Sequence, residues 1–336
     1  MNRVNREVLL KKMYTNPEQR ATISFYKYCS IENPEQFRDT LYLMLDAINV
    51  KGRIYLAHEG INAQISVPTY SVELFRETLN GISFLNNIRL NTAIEDSGKS
   101  FFKLAIKVKE KIVADGLKDT TFNAADSGVH LDANGFNALT DEPDTILIDM
   151  RNHYESEVGY FEGAIRPDVE TFREEIKIAE GILNGKEDKN IVMYCTGGIR
   201  CEKASAYFKH KGFKNVFQLD GGIIQYTKDA KAHNLPNKFK GVNFVFDERL
   251  GERISDDVVA QCHQCGAPCD AHKNCANDAC HLLFIQCEIC AAEFNNTCSR
   301  QCADFVQLPL DEQKRLRKEI VFPGTKFGKG RRAGGL

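Results

Sequence analysis

Cys195 stands between a short apolar run, Ile191-Val192-Met193-Tyr194, and the stretch Cys195-Thr196-Gly197-Gly198-Ile199-Arg200 that opens a helix. A loop holding two glycines ahead of a helix aims several backbone N–H groups at one point, and the helix dipole adds positive character there. Such a place favours an anion, so a thiol or a persulfide at Cys195 ionises readily and becomes a nucleophile. Thr196, Gly197, Gly198 and Ile199 supply the amides that would hold a substrate group. Arg200 supplies a fixed cationic fork for an anionic substrate or for the thiolate itself. The bland alternative is a buried structural cysteine, a common place for a free thiol. Two glycines and an arginine wrapped around one sulfur favour the reactive reading. Cys201 falls in the first helical turn, where it either packs or resolves an oxidised Cys195.

A second chemistry lies further along. Nine of the twelve cysteines fall between Cys262 and Cys302. The knuckles Cys262-x2-Cys265 and Cys287-x2-Cys290, with 21 residues between them, have the spacing of a four-thiolate zinc site. Cys269, Cys275, Cys280, Cys298 and Cys302 remain, enough for a second tetrahedral site, with His281 as a substitute ligand. An all-thiolate site leaves no open position, so zinc is expected in a structural role. Disulfides are the competing explanation, but the chain carries no secretion signal, and crowded thiols in a reducing compartment point to metal. A cytoplasmic location is therefore expected. No apolar run approaches a membrane span.

These groups need a scaffold, and 336 residues suggest two or three domains. Thr22–Tyr28 alternates as a strand. Asn33-Pro34 caps a helix carrying Phe37, Leu41, Leu45 and Ile48. Arg53–Ala57 and Ile61–Val67 read as strands about the turn His58-Glu59-Gly60. A second helix spans Thr69–Asn80, and Phe101–Val108 closes the unit. The order βαββαβ is the ferredoxin-like arrangement, expected over residues 1–108. The turn at His58 and Glu59 reads as a polar hairpin, with ligand contact as the alternative. Residues 109–125 read as a linker. From 126 to 240 short apolar strands at Ile146–Ile148, Ile191–Tyr194 and Val216–Leu219 alternate with helices near Phe172–Leu183 and Arg200–Lys211. That alternation predicts an α/β domain with a parallel sheet, with Cys195 at the carboxyl end of a strand. Asp149 and Arg151, at another strand end, read as a structural ion pair. Residues 241–336 form the cysteine-rich module and a basic tail, Lys326–Gly335. The net charge of −2 gives no overall attraction to nucleic acid, so any RNA contact needs local patches such as this tail.

Three ordered stretches resemble the rhodanese family: Cys195–Arg200 as its active loop, Ile146–Arg151 with Glu155, Gly159, Gly163 and Ala164 upstream, and Val216–Ile223 downstream. Tyr226 stands where many members have Trp. The ferredoxin-like front, the rhodanese middle and the run Cys-His-Gln-Cys-Gly-Ala-Pro-Cys-Asp at 262–270 together resemble the tRNA uridine-34 hydroxylase family. The resemblance implies tRNA as partner, molecular oxygen as co-substrate and Cys195 as the functional cysteine. The alternative is a sulfurtransferase carrying sulfane sulfur on Cys195 and fed by a protein or small-molecule donor. A non-enzymatic scaffold is the third class.

Overall fold

The computed structural model describes residues 6–15, 18–96, 98–118, 121–324 and 329–331. The chain divides into two units, one of Met1–Asn152, Gly163–Lys238 and Phe246–Arg249, the other of His153–Glu162, Phe239–Val245 and Leu250–Leu336.

In the first unit α1 (Arg6–Thr15) leads to β1 (Arg20–Tyr28), α2 (Pro34–Ala47), β2 (Lys51–Ala57), β3 (Gly60–Pro68), α3 (Val72–Asn80), β4 (Asn91–Thr92) and β5 (Leu104–Val108). Helix α2 begins where expected, because the Asn33 side chain accepts the Gln36 N–H at 2.9 Å and Pro34 needs no partner at the first helical position. It buries Leu41 and Leu45 against Ile23, Phe25, Ile54 and Ile65 of the sheet. The sheet order is β4-β1-β3-β2-β5, with β3 antiparallel to both of its neighbours. The expected closing strand at 101–108 forms as β5, but it lies parallel to β2 at the far edge. The place beside β1 goes to β4, only two residues long. A strand of two residues has no alternation for a sequence reading to find.

A second sheet in this unit is built from β6 (Val129–Leu131), β7 (Thr145–Asp149), β9 (Asn190–Tyr194) and β10 (Asn215–Leu219), in the order β6-β10-β9-β7 and all parallel. Helix α4 (Ala133–Thr140) joins β6 to β7. The intervening α5 (His153–Ser156) and β8 (Gly159–Phe161) belong to the second unit. Then come α6 (Phe172–Leu183), α7 (Ile199–His210) and α8 (Gly222–Ala232). Thr171 and Glu174 make a reciprocal capping box at the start of α6. Beyond α7, Gly212 sits at φ +94°, where a side chain would be strained. Strands β7, β9 and β10 are the three apolar runs read from the sequence, and both sheet faces are covered, as a parallel sheet requires.

The second unit adds β11 (Phe239–Asn243), β12 (Glu252–Arg253), β13 (His272–Asn274), β14 (Leu283–Ile285), α9 (Glu288–Glu293), α10 (Arg300–Val306) and α11 (Leu310–Leu316). Its sheets are small, β12-β11-β8 and the hairpin β13-β14. So are its apolar clusters, one of which counts Cys275, Cys280 and Cys302 among its members. The basic tail is not wholly solvated. Lys329 bridges Leu283, the Gly330 N–H donates to the Leu283 carbonyl at 2.7 Å, and the Lys329 ammonium lies 4.6 Å from the centre of the Tyr154 ring. Lys326–Gly328 and Arg332–Gly335 lie outside the described residues. No described helix is long and apolar enough to cross a membrane.

Candidate active site

Cys195 follows β9 at its carboxyl end and is 1% exposed. Gly198, at φ +101°, caps α7 in the left-handed region and turns its N–H onto the Cys195 Sγ at 3.2 Å. The Gly221-Gly222 turn explains the rest of the loop's shape. The first N–H groups of α8 reach back to it, Ile223 donating to the Cys195 carbonyl at 3.0 Å and Ile224 to the Thr196 carbonyl at 3.3 Å. A Cβ on Gly222 would come within 2.5 Å of the Cys195 carbonyl oxygen. One helix start therefore takes the loop's carbonyls, leaving its amides to face the sulfur.

The electrostatics of that sulfur follow. Burial pushes the Cys195 thiol up, but a hydrogen bond from the Cys201 thiol, the Arg200 charge and the backbone N–H groups of Cys201 and Arg200 outweigh it, bringing the thiol down to about 5. Burial, and then the neighbouring Cys195 sulfur, push Cys201 well up, so Cys201 stays a neutral donor. Cys201 thus faces Cys195 and does more than pack. Arg200 is buried, 3.5 Å from the Thr196 hydroxyl, with its guanidinium 5.9 Å from the Phe246 ring centre.

Asp149 and Arg151 are wholly buried. The guanidinium donates to both carboxylate oxygens, at 2.8 and 2.6 Å, and the Tyr194 hydroxyl donates to the second at 2.6 Å. This pair ties the end of β7 to the end of β9 just before the cysteine, as a structural ion pair would. Tyr226 is buried, its hydroxyl donating to Asn137 and accepting from the Lys238 N–H.

Residues from the first sheet complete the surroundings, and the sequence gave little sign of them. The Tyr26 hydroxyl donates to Glu202 at 3.2 Å and the Tyr28 hydroxyl to the Ile199 carbonyl at 3.3 Å. Glu59, from the hairpin turn, pairs with Lys203, which also meets Asp115 at 2.8 Å. His130 links Glu202 at 3.4 Å to Asp220 at 3.2 Å, and Arg89 pairs with Asp220. Tyr26, Arg89, His130, Glu202 and Asp220 come from widely separated stretches, so no local spacing could have joined them. They line a cleft of about 350 Å³ that reaches the loop at Gly197.

His130 carries a testable consequence. Hydrogen bonds from Asp220 and then Glu202 raise its imidazole to about 9 from the ordinary 6.5, against the cost of burial. A raised folded-state value stabilises the fold most below pH 6.5, and that contribution is lost as pH rises through 9. His130→Gln should therefore lower the urea midpoint at pH 6 and leave it close to the parent at pH 10. Parallel urea titrations at the two pH values check this, and an equal deficit at both would refute it.

The cysteine-rich segment resolves into two clusters, Cys262/Cys265/Cys287/Cys290 and Cys275/Cys280/Cys298/Cys302, each with its four sulfurs within 4.8 Å of one another. Sulfurs at Zn–S bonds of ~2.3 Å on a tetrahedron stand roughly 3.8 Å apart. Cys265–Cys287 at 3.6 Å, Cys280–Cys298 at 3.7 Å and Cys298–Cys302 at 3.8 Å fit that edge. Backbone N–H groups turn onto the thiolates, Cys287 onto Cys262 and Cys298 onto Cys275, both at 3.4 Å. Each cluster could hold a metal ion, and the donor set suits zinc. Cys269 and His281, both counted as candidate ligands from the sequence, lie in neither cluster. Cys269 packs instead at the edge of the Tyr154–Phe244 cluster, and His281 is exposed.

Comparisons with known proteins agree with this construction. A family model described as a UPF0176 acylphosphatase-like domain matches residues 20–112, the rhodanese-like domain matches 132–229, and the rhodanese C-terminal domain matches 240–303. A protein of Pectobacterium carotovorum subsp. carotovorum (strain PC1) named tRNA uridine(34) hydroxylase is 57% identical over 94% of this chain and 89% of its own length. Proteins of the same name from Enterobacter sp. (strain 638) and Escherichia fergusonii are each 56% identical over 94% of this chain and 91% of theirs. The chain belongs to the tRNA uridine(34) hydroxylase family.

Proposed function

We propose that this protein places a hydroxyl group on C5 of uridine 34 of tRNA, with molecular oxygen as the oxidant and Cys195 as the reacting side chain. The observation that carries this reading is the likeness to relatives of that name across 94% of the chain. In this reading Thr196, Gly197, Gly198 and Ile199 hold the reacting group with their amides, and Arg200 keeps the Cys195 sulfur anionic. The work divides along the chain: residues 1–108 face the RNA, 109–125 connect, 126–240 carry the chemistry, and 241–336 form a module held by two structural zinc ions.

The test is mass spectrometry of tRNA nucleosides from a deletion strain, with and without the gene on a plasmid. Loss of the 5-hydroxyuridine derivative, restored by the plasmid, is the expected result. An unchanged nucleoside profile would overturn the reading. A sulfurtransferase is the second reading, favoured by the N–H groups turned onto Cys195, which suit a persulfide anion as well as a thiolate. It would take sulfur from a thiosulfate-like or protein persulfide donor. Thiocyanate formed from cyanide by the purified protein, together with unchanged tRNA, would favour it.

A further inference from the structure

We propose that the free edge of β1 inside the cleft is the uracil reader: one extruded uridine lies there, and the main-chain N–H and C=O of Tyr26 pair with its N3–H and an adjacent carbonyl oxygen. The inference rests on the hydroxylase reading and adds the place and the means of base recognition.

The first observation is topological. Strand β3 pairs with β1 along its whole length, from Arg20 to Tyr28, whereas β4 on the other side pairs only with Ile23 and Ser24. From Phe25 onward no described strand covers that edge. Its polarity follows from the two-residue period of an antiparallel strand. The Thr22 carbonyl accepts the Ala93 N–H on the β4 side, and the Cys29 N–H donates to Glu59 on the β3 side. Even-numbered residues thus present their peptide groups to the open edge, and Tyr26 is the next beyond Ser24.

An open strand edge is ordinarily a place where a second strand adds on. Here it lies within a cleft too small for a strand and of the volume a small ligand needs, about 350 Å³. The peptide N–H and C=O of one edge residue form a donor and an acceptor side by side. Uracil offers the complement, an N3–H donor flanked by carbonyl acceptors. Single-stranded loops are read in this way, by base edges splayed out of the stack.

Charge and position point to the same occupant. Lys27 and Arg89 line the cleft, so a nucleotide phosphate meets cations there. Gly197 lines it too, and the Tyr26 hydroxyl stands so close to Gly198 that a Cβ there would be 2.8 Å away. Gly198 is the residue whose N–H meets the Cys195 sulfur. A base held on the Tyr26 edge therefore lies against the outer wall of the cysteine loop.

The test uses the full-length protein and a 17-nucleotide anticodon stem-loop, and neither arm depends on turnover. With 5-bromouridine at position 34, irradiation should crosslink the RNA to the peptide carrying Tyr26 and Tyr28. Crosslinks confined to the second unit would overturn the proposal. With N3-methyluridine at position 34, which removes the donor and blocks the edge, affinity should fall at least about tenfold against uridine. Equal affinity would overturn it as well. If hydroxylation in cells proves absent while both results hold, the hydroxylase reading fails and the uracil site stands. If hydroxylation is present and these results fail, the base is read elsewhere.

Discussion

Cys195→Ser is expected to abolish 5-hydroxylation of uridine 34, by at least about 10³-fold, the scale on which removing a reacting nucleophile acts. The fold should survive, because a serine hydroxyl can still accept the Gly198 N–H that now meets the sulfur at 3.2 Å. What is lost is a low-pKa anion, since a hydroxyl with no base beside it does not ionise. Cys201 separates this chemistry from simple packing. Its thiol donates to the Cys195 sulfur, one of the causes that bring that thiol to about 5 despite burial. In Cys201→Ala that donor is gone, so the acid limb of the activity profile should move up from near pH 5, with little change on the plateau near pH 8. Cys201→Ser keeps a donor and should stay near the parent profile. The measurement is nucleoside mass spectrometry after reaction across pH 4.5 to 8.5, with thermal melts confirming the fold. A fully active Cys195→Ser protein would leave only a scaffold role for the loop, and an unmoved acid limb in Cys201→Ala would remove Cys201 from the site.

Much of this was legible because the signals are local. A cysteine, two glycines and an arginine within six residues define the loop, and three apolar runs define its sheet. The downstream Gly-Gly turn was legible as a pattern, but its purpose was not. Only the folded chain reveals that Gly222 must lack a side chain so that α8 can bind the loop carbonyls. The first sheet's contribution stayed hidden for a different reason. Tyr26 and Phe25 are adjacent strand aromatics, and one is buried in the core at 2% exposure while the other reaches Glu202 across 176 residues. A single sequence carries the alternation but not which face meets another domain. The same limit explains β4, whose two residues are too few to show a period, although their shortness leaves the β1 edge open. Among the cysteines, spacing identified the first cluster. The choice among Cys269, Cys275, Cys280, Cys298, Cys302 and His281 needed the hairpin and helix that bring four of them together.

Removing metal should unfold the second unit, the largest stability effect expected in this protein. Its apolar clusters are small, and one counts three cysteine sulfurs among its buried members, so the packing that remains without metal is slight. Four thiolates gathered within 4.8 Å and left without a cation would repel one another, whereas zinc turns that repulsion into folding free energy of about 10–16 kcal/mol per structural site. Elemental analysis should give two zinc ions per chain. Cys287→Ser and Cys298→Ser should each lose one of the two, from different clusters, while Cys269→Ser retains both. Protein refolded from guanidinium with chelator should be cleaved by trypsin in the second unit, at sites such as Lys273 and Arg300, and added zinc should restore resistance. Equal resistance with and without zinc, or loss of an ion in Cys269→Ser, would show that these clusters do not hold the unit together as argued here.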